Sequence, residues 1–409
     1  MKKDLIIIGG GAAGMMCAIS AARRGKKVLV LEKLPQLGLK LKASGGGRCN
    51  ISNTLENEIF MEHFGKNGRF MQDALRVFDH KSLIEFFASL QLTCNTKDGL
   101  RIFPDSHDSQ SVLNALKNEL QRLHVAVICG AYIQKILTND GAVMGVQARD
   151  GTYMATNVVI ATGGLGYPML GGGDDGHKLA QALGHKITQL YPAMMPLFVK
   201  EEWVGHCRAD TIAKATLRVA LLKYKNLHAT GDLIFTQNGI RGPLVLDFAR
   251  EITPLLEKYG EIPIHANLIK GLNEEQVRVH CRAFAYENPQ KNILETLKFF
   301  LPQSVIIQFC KLCGVDENAS MAKIDPQKRD ALLRQITKTP LHVSAHEGFK
   351  KAMITRGGVS LKQINPKSMQ SKLVKGLYFC GEVLDLDGPC GGYNLQWAFS
   401  SGYLCGLMK

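Results

Sequence analysis

The residues best equipped for chemistry lie at the start of the chain. In Gly9-Gly10-Gly11-Ala12-Ala13-Gly14 the glycines fall at Gly-x-Gly-x-x-Gly spacing. Gly9 permits a tight turn, Gly11 lets backbone approach a pyrophosphate, and Gly14 lets a helix pack closely on a strand. An acid, Glu32, follows 18 residues after Gly14, with Lys33 beside it. A carboxylate about 20 residues beyond such a fingerprint accepts hydrogen bonds from both ribose hydroxyls of an adenosine and repels a 2′-phosphate. These residues point to FAD or NAD rather than NADP, and the fingerprint alone leaves those two open.

Three later clusters have the same character. Lys40 precedes Ser44-Gly45-Gly46-Gly47-Arg48-Cys49-Asn50, a loop of small residues beside a cation. Val158-Val159-Ile160-Ala161-Thr162-Gly163-Gly164 is an apolar run ending in small residues. Near the C-terminus, Gly376-Leu377-Tyr378-Phe379-Cys380-Gly381-Glu382 runs into an acid, and Cys390-Gly391-Gly392-Tyr393-Asn394-Leu395 opens a helical stretch. A Gly-Gly helix start presents bare N–H groups and the positive end of a dipole to an anion.

The elements that must hold these clusters are legible. Residues 5–8 are a β-branched strand, the fingerprint follows at once, and an Ala/Met-rich helix runs toward Gly25 before a second strand at 28–31. Strand, glycine turn, helix, strand is a Rossmann opening. A second match, Gly171-Gly172-Gly173-Asp174-Asp175-Gly176, has no strand before it and carries two aspartates that would repel a pyrophosphate. It is read as a structural loop.

Together the motifs resemble the bacterial flavoprotein family that contains aminoacetone oxidase and the bile-acid dehydroreductase of gut bacteria. The resemblance spans the chain and is most specific over residues 44–50 and 376–402. It implies an α/β fold, a Rossmann-like FAD-binding domain of glutathione-reductase type interrupted by a β-rich plus helical insert, and non-covalent FAD. It assigns the pyrophosphate to Gly9, Gly11, Ala12, Ala13 and Gly14, the adenosine ribose to Glu32, with Lys33 among the cofactor contacts, and the adenine edge to Ile133. Lys40 and residues 44–50 take the ribityl and flavin side, Thr162, Gly163 and Gly164 the nucleotide half, and Gly381 and Glu382 the ribityl chain. Residues 391–395 face the flavin N1–C2=O edge. More remotely, residues 163–166 with 173–176 resemble the flavin subunit of fumarate reductases. Two departures limit what carries over. The family's Phe-Thr-His-x-Gly-x-Ser-Gly-Pro stands here as Phe235-Thr236-Gln237-Asn238-Gly239-Ile240-Arg241-Gly242-Pro243, and its Thr before the last Gly-Gly is Cys390.

If both ends contact one FAD, the binding domain is discontinuous, 1–190 with 350–409. The insert divides into a β-rich domain, 191–270 with 338–349, and a helical subdomain, 271–337. Short alternating runs such as 217–222 and 232–235 predict strands, and residues 340–354 read as a returning strand. No catalytic acid or base emerges. Arg101 is a candidate that orients an anionic substrate or braces a turn. Arg241 is a candidate anion contact or an exposed turn residue.

The length of 409 residues, 45% hydrophobic and 21% charged, fits a folded protein with a full core. Eleven scattered cysteines and no run of about 18 apolar residues point to a reducing cytoplasm without a membrane span. Asp4 and Gly9-Gly10-Gly11 interrupt the basic and apolar parts of what would otherwise resemble a signal peptide. Cys310-Lys311-Leu312-Cys313 reads as a buried helix face with no second pair for zinc, and His342 and His346 as the polar face of a strand, so no metal is expected.

The leading expectation is an FAD-dependent oxidoreductase that passes a hydride between flavin N5 and a small organic substrate, with NAD(P)H or O₂ as redox partner. The net charge of +14 keeps open a tRNA-modifying flavoprotein, although nucleic acid is the less favoured partner. A third class is a non-catalytic redox sensor using Cys310 and Cys313. Substrate identity and oligomeric state are not written in the sequence.

Overall fold

Leu5, Ile6, Ile7 and Ile8 form the buried part of the strand Lys3–Ile8 in a computed structural model that describes residues 2–409. This strand has parallel neighbours on both sides, Val28–Glu32 in register Leu5↔Val28 and Gly151–Ile160 in register Ile8↔Ile160. Ala126–Cys129 pairs parallel beyond Val28–Glu32, and Leu377–Phe379 pairs parallel with Gly151–Ile160. The antiparallel strands Ala142–Ala148 and Ile133–Asn139 complete a seven-stranded sheet. Its central parallel strands are buried, which is why residues 5–8 and 28–31 are continuous apolar runs rather than alternating ones.

The first helix, Ala12–Ala22, packs on the last, Tyr393–Gly406. Small residues set their separation. A Cβ on Gly402 would lie 2.4 Å from the Ala13 carbonyl oxygen, and one on Gly406 2.5 Å from Ser20 Cβ. The Ser20 hydroxyl donates to the Tyr403 carbonyl at 2.9 Å. The chain's two ends thus share one core, and two glycine-led helices belong to the same unit.

That unit ends at Pro192 and resumes over Ala352–Lys409; the other is Ala193–Lys351. The second unit holds a closed antiparallel barrel in the order Leu197–Val199, Gly239–Arg241, His228–Phe235, Thr211–Val219, Ile262–Asn267, Thr339–His346. The helix Pro243–Tyr259 lays Leu244, Phe248 and Ile252 against it, and four helices between Glu274 and Thr337 share its apolar core. Trp203 joins the two parts, its ring 5.5 Å from Phe235 and 5.2 Å from Phe309. The single strand expected over 340–354 is instead Thr339–His346, a turn at Gly348–Lys350, and Ile354–Arg356. Gly348, at φ 65°, breaks the extended run. Likewise the run expected at 217–222 is the end of Thr211–Val219 followed by a short 3₁₀ turn.

Candidate active site

The fingerprint glycines have different reasons to be glycine. Gly9 adopts φ 104°, and a Cβ there would lie 2.5 Å from the Ala161 carbonyl oxygen. Gly14 leaves room for the Gly9 carbonyl, which a Cβ would meet at 2.0 Å. Apart from its own chain neighbours, no described protein atom lies within 4 Å of where a Gly11 Cβ would sit, so tertiary packing does not account for its lack of a side chain. Gly11 caps the helix Ala12–Ala22 without any side-chain cap, leaving first-turn N–H groups for a ligand. Such a cradle suits a pyrophosphate.

Glu32 ends its strand at 9% exposure. Its carboxylate accepts from the Gly10 N–H at 2.7 Å and the Leu34 N–H at 2.9 Å, one oxygen each. The acid is therefore tied to the glycine loop itself, and each oxygen keeps a lone pair for a ribose hydroxyl. Lys33 donates to Asp175 at 2.6 Å, and the Tyr132 hydroxyl donates to the same carboxylate at 2.8 Å, beside buried Ile133. Gly171-Gly172-Gly173, the rejected second fingerprint, leads into this contact. It follows a short 3₁₀ turn rather than a strand.

The second loop is a left-handed run. Gly45, Gly46 and Gly47 have φ of 59°, 66° and 87°, conformations that a Cβ disfavours. Arg48 bonds back to the Gly45 carbonyl and lies 5.8 Å from the Phe103 ring. Cys49 is fully buried, and burial pushes its thiol up to about 12, which excludes a thiolate role. With its amide oriented to satisfy both ends, Asn50 donates to the Ile102 and Ser52 carbonyls and accepts from the Gly392 N–H at 3.1 Å. Asn53 donates to the Gly391 carbonyl at 3.0 Å. Loop 44–50 and the start of the last helix are thereby pinned together.

Glu382 is the hub of the remaining predicted residues. It accepts from Lys40 Nζ at 2.8 Å and from the Thr355 N–H at 2.9 Å. Gly164 must be small, because a Cβ would lie 2.7 Å from Glu382 and 2.5 Å from the Thr355 hydroxyl. Gly163 has φ 72°, and Thr162 Oγ1 is buried with no hydrogen-bond partner among the described residues. Gly381, at φ 77°, approaches Ala13 of the fingerprint helix. Gly392 is small for a different reason from the one its motif implies, since a Cβ would strike the Ser52 carbonyl at 2.3 Å. Tyr393 packs on Phe60 and His63, and Asn394 clips the 388–389 backbone, so both have structural partners. Leu395 is partly buried against the same core.

Thr355 was missed in the sequence, yet Ile354-Thr355-Arg356-Gly357-Gly358 repeats the signal of a strand followed by a glycine pair. Asn53 carries no such signal. Of the remaining candidates, Arg101 borders this constellation as the register partner of Asn53. Arg101 pairs with Asp98 across its turn and shares the Phe103 ring with Arg48. Arg241 is exposed in the barrel unit, on the strand Gly239–Arg241. Cys310 is buried and pushed up to about 12 by burial, and Cys313 is raised by the same cause. His342 pairs with Glu201 at 2.7 Å. Among the described residues no His/Cys/Asp/Glu group has a metal-holding arrangement.

A family profile described as HI0933-like protein Rossmann domain matches residues 3–408. The chain is also 32% identical over 98% of its length, and 97% of the other chain, to a 3-dehydro-bile acid delta(4,6)-reductase of Clostridium scindens. The chain belongs to the HI0933-like family. It is a flavoprotein oxidoreductase with a Rossmann fold. A second family relative, 29% identical over 98% of this chain and 97% of its own, is a ribosomal RNA dihydrouridine synthase of Haemophilus influenzae. The HI0933-like fold resembles a 3-ketosteroid delta1-dehydrogenase from Sterolibacterium denitrificans, with TM-score 0.52 and 12% identity, covering 99% of this chain and 98% of that one. No helix among the described residues is long and apolar enough to cross a membrane.

Proposed function

We propose that this chain binds FAD non-covalently and reduces a carbon–carbon double bond conjugated to a carbonyl, with NAD(P)H as the source of electrons. The observation that carries the reading is the linkage of three glycine loops into one constellation, through Glu32 to Gly10, Asn50 to Gly392 and Lys40 to Glu382. A dinucleotide with a long polar linker needs such spaced contacts. The open side of Gly11 fits FAD as well. The relatives named a delta(4,6)-reductase and a dihydrouridine synthase support the reaction class, since both names describe saturating a conjugated double bond.

When bound, FAD would supply two-electron chemistry, the passage of a hydride from reduced nicotinamide to the β-carbon of the conjugated bond, with the α-carbon taking a proton from solvent. The protein's part is placement. Gly9, Gly11 and the N-terminus of Ala12–Ala22 would hold the pyrophosphate, and Glu32 would hold the ribose and repel a 2′-phosphate. Lys40 and Glu382 position the ribityl chain. The Gly391 to Leu395 start of the last helix would turn its positive dipole end toward the flavin N1–C2=O edge, where negative charge accumulates on reduction, while the Gly392 N–H is engaged by Asn50.

A second reading concerns the substrate. The +14 charge favours a polyanion, and the uracil ring of RNA carries the required conjugated bond. On this reading Arg101 and Arg241 are separate candidate anion contacts, one in each unit. The test is anaerobic. Flavin bleached by NADH or NADPH is mixed with a 3-oxo-Δ4 steroid or with a ribosomal RNA fragment. Recovery of the yellow colour, with two hydrogens gained by the product, supports the reaction and identifies the substrate. No bleaching by either nicotinamide, or no recovery with any conjugated acceptor, overturns it.

A further inference from the structure

The outer face of the barrel unit carries a cleft of about 620 Å³. Arg218 on the strand Thr211–Val219 is the register partner of His265 on Ile262–Asn267, and Arg334 and Lys338 border the same space from the end of the helix Pro326–Thr337. The carboxylate there, Glu274, is paired with Arg278 at 2.8 Å. Arg334 and Lys338 are exposed and make no close ion pair, the nearest carboxylate to Arg334 being Glu274 at 4.0 Å. His265 is held below the usual imidazole range, first by burial and then by Lys338 and His342, a sign of local positive potential. The cleft is therefore cationic and open.

The cations continue out of it. On its other side Arg218 is the register partner of His228, and its guanidinium donates to the Lys225 carbonyl at the tip of the hairpin. There Tyr224 stands edge-on to Tyr259, ring centroids 6.1 Å apart, with Lys223 Nζ over one face of the Tyr224 ring and Lys258 Nζ over one face of the Tyr259 ring. Tyr259 is 43% exposed. A single small anion would need only the cleft. A track of cations ending at half-buried Tyr224 and exposed Tyr259 matches a polymer that alternates phosphate and base, because bases stack on aromatic faces while phosphates meet Lys and Arg.

We propose that this face binds a single-stranded segment of RNA, with phosphodiester groups in the cleft of Arg218, Arg334 and Lys338 and a base against the Tyr224–Tyr259 pair. The proposal rests on the RNA reading above. It adds a binding surface in the barrel unit that neither the cofactor cradle nor the candidates Arg101 and Arg241 include.

The test measures fluorescence anisotropy of a fluorescein-labelled, uridine-containing single-stranded RNA on the flavin-loaded protein across a salt series. Each phosphate contact on a single strand adds about 0.7 to the slope of log affinity against log salt. Arg334→Gln with Lys338→Gln is expected to lower that slope by about 1.4 and to leave flavin content unchanged, and Lys338→Arg to keep it. Tyr259→Ala is expected to weaken binding on the order of tenfold with the slope intact, as loss of stacking does. Wild-type binding with a slope that the double variant leaves unaltered overturns this surface while sparing the RNA reading. Absence of salt-dependent binding by the wild type overturns both.

Discussion

Lys40 and Glu382, 342 positions apart, meet as an ion pair at 2.8 Å, with the Thr355 N–H on the other carboxylate oxygen. The pair is partly exposed, so its Coulomb attraction alone stabilises the fold little. Its consequence is geometric. It brings a residue from the first forty into contact with the strand end at Gly381 and Glu382, and it fixes where a carboxylate can meet a polyol.

Glu382→Gln should therefore impair flavin retention more than folding. Charge-assisted hydrogen bonds are worth about 1.5–3 kcal/mol, so affinity for FAD should fall roughly ten- to a hundredfold while the apo-protein melts within a few degrees of wild type. Flavin absorbance per chain and apo-protein thermal melts are the measurements. Full flavin occupancy at nanomolar protein would remove Glu382 from the cofactor site.

Glu32 should behave differently, because it is tied to the glycine loop as well as being the proposed ribose ligand. Glu32→Ala leaves the Gly10 and Leu34 N–H groups without their acceptor, and a buried unsatisfied donor costs about 1–3 kcal/mol. Both FAD retention and apo-protein melting temperature should drop, whereas Glu32→Gln should spare much of the latter. An Ala variant with unaltered apo stability would mean that the loop does not depend on this carboxylate.

The fold's nucleotide half was readable because each glycine cluster sits beside a strand or helix whose own pattern is strong. Residues 5–8, 28–31 and 158–160 are all interior parallel strands, and such strands announce themselves as unbroken apolar runs. What the sequence hid is the cause behind individual glycines. Gly392 looks like a ligand-facing residue and is small because Ser52 is there; Gly164 is small because Thr355 and Glu382 are there. Those partners are distant in sequence, and no local pattern encodes them. Asn50 was legible as a polar residue in a loop and Asn53 was not, and their bonds to Gly392 and Gly391 depend on a helix more than 300 residues away. In the barrel unit, strand existence was legible from alternation, while the early end of the strand Thr339–His346 depended on a single glycine.

Cys310 and Cys313 should be inert. Burial holds both thiols above their ordinary range, Cys310 at about 12, so neither presents a thiolate near neutrality. Native protein treated with iodoacetamide at pH 7.5 should be modified at exposed Cys129 well before either, as read by peptide mass spectrometry. The double Ser variant should retain flavin and turnover. Rapid alkylation of the pair, or loss of turnover in that variant, would revive the redox-sensor reading.

Gly402→Ala should destabilise the protein. The added methyl would lie 2.4 Å from the Ala13 carbonyl oxygen, a rigid backbone atom in the helix that carries the fingerprint. Overpacking of this kind costs about 1–3 kcal/mol. Because the displaced helix begins at Gly11, flavin affinity should fall with stability. A variant with unchanged melting and flavin content would show that the two helices can separate freely at this point.

Acid should weaken the fold before the carboxylates titrate, and His185 is a main reason. The ring is 2% exposed and bonded at both nitrogens, Nδ1 to the Ala180 carbonyl at 3.2 Å and Nε2 to Ser371 Oγ at 2.8 Å. Ser371 Oγ already accepts from the Leu373 and Val374 N–H groups, so its own proton goes to Nε2 and Nδ1 keeps the ring proton. A second ring proton would face that hydroxyl proton, and burial independently lowers the pKa. With the folded pKa below the unfolded value of about 6.5, the unfolded chain binds more protons through this window, so stability rises with pH there. The contribution is complete above the unfolded value and is lost as pH falls through the folded one. His80 and His177, also lowered chiefly by burial, act in the same direction. Apo-protein melting temperature should fall from pH 7.5 to 5.5. His185→Gln should melt lower than wild type at pH 7.5 but show a shallower fall. Parallel curves for the two proteins would mean that His185 is not neutral in the folded state.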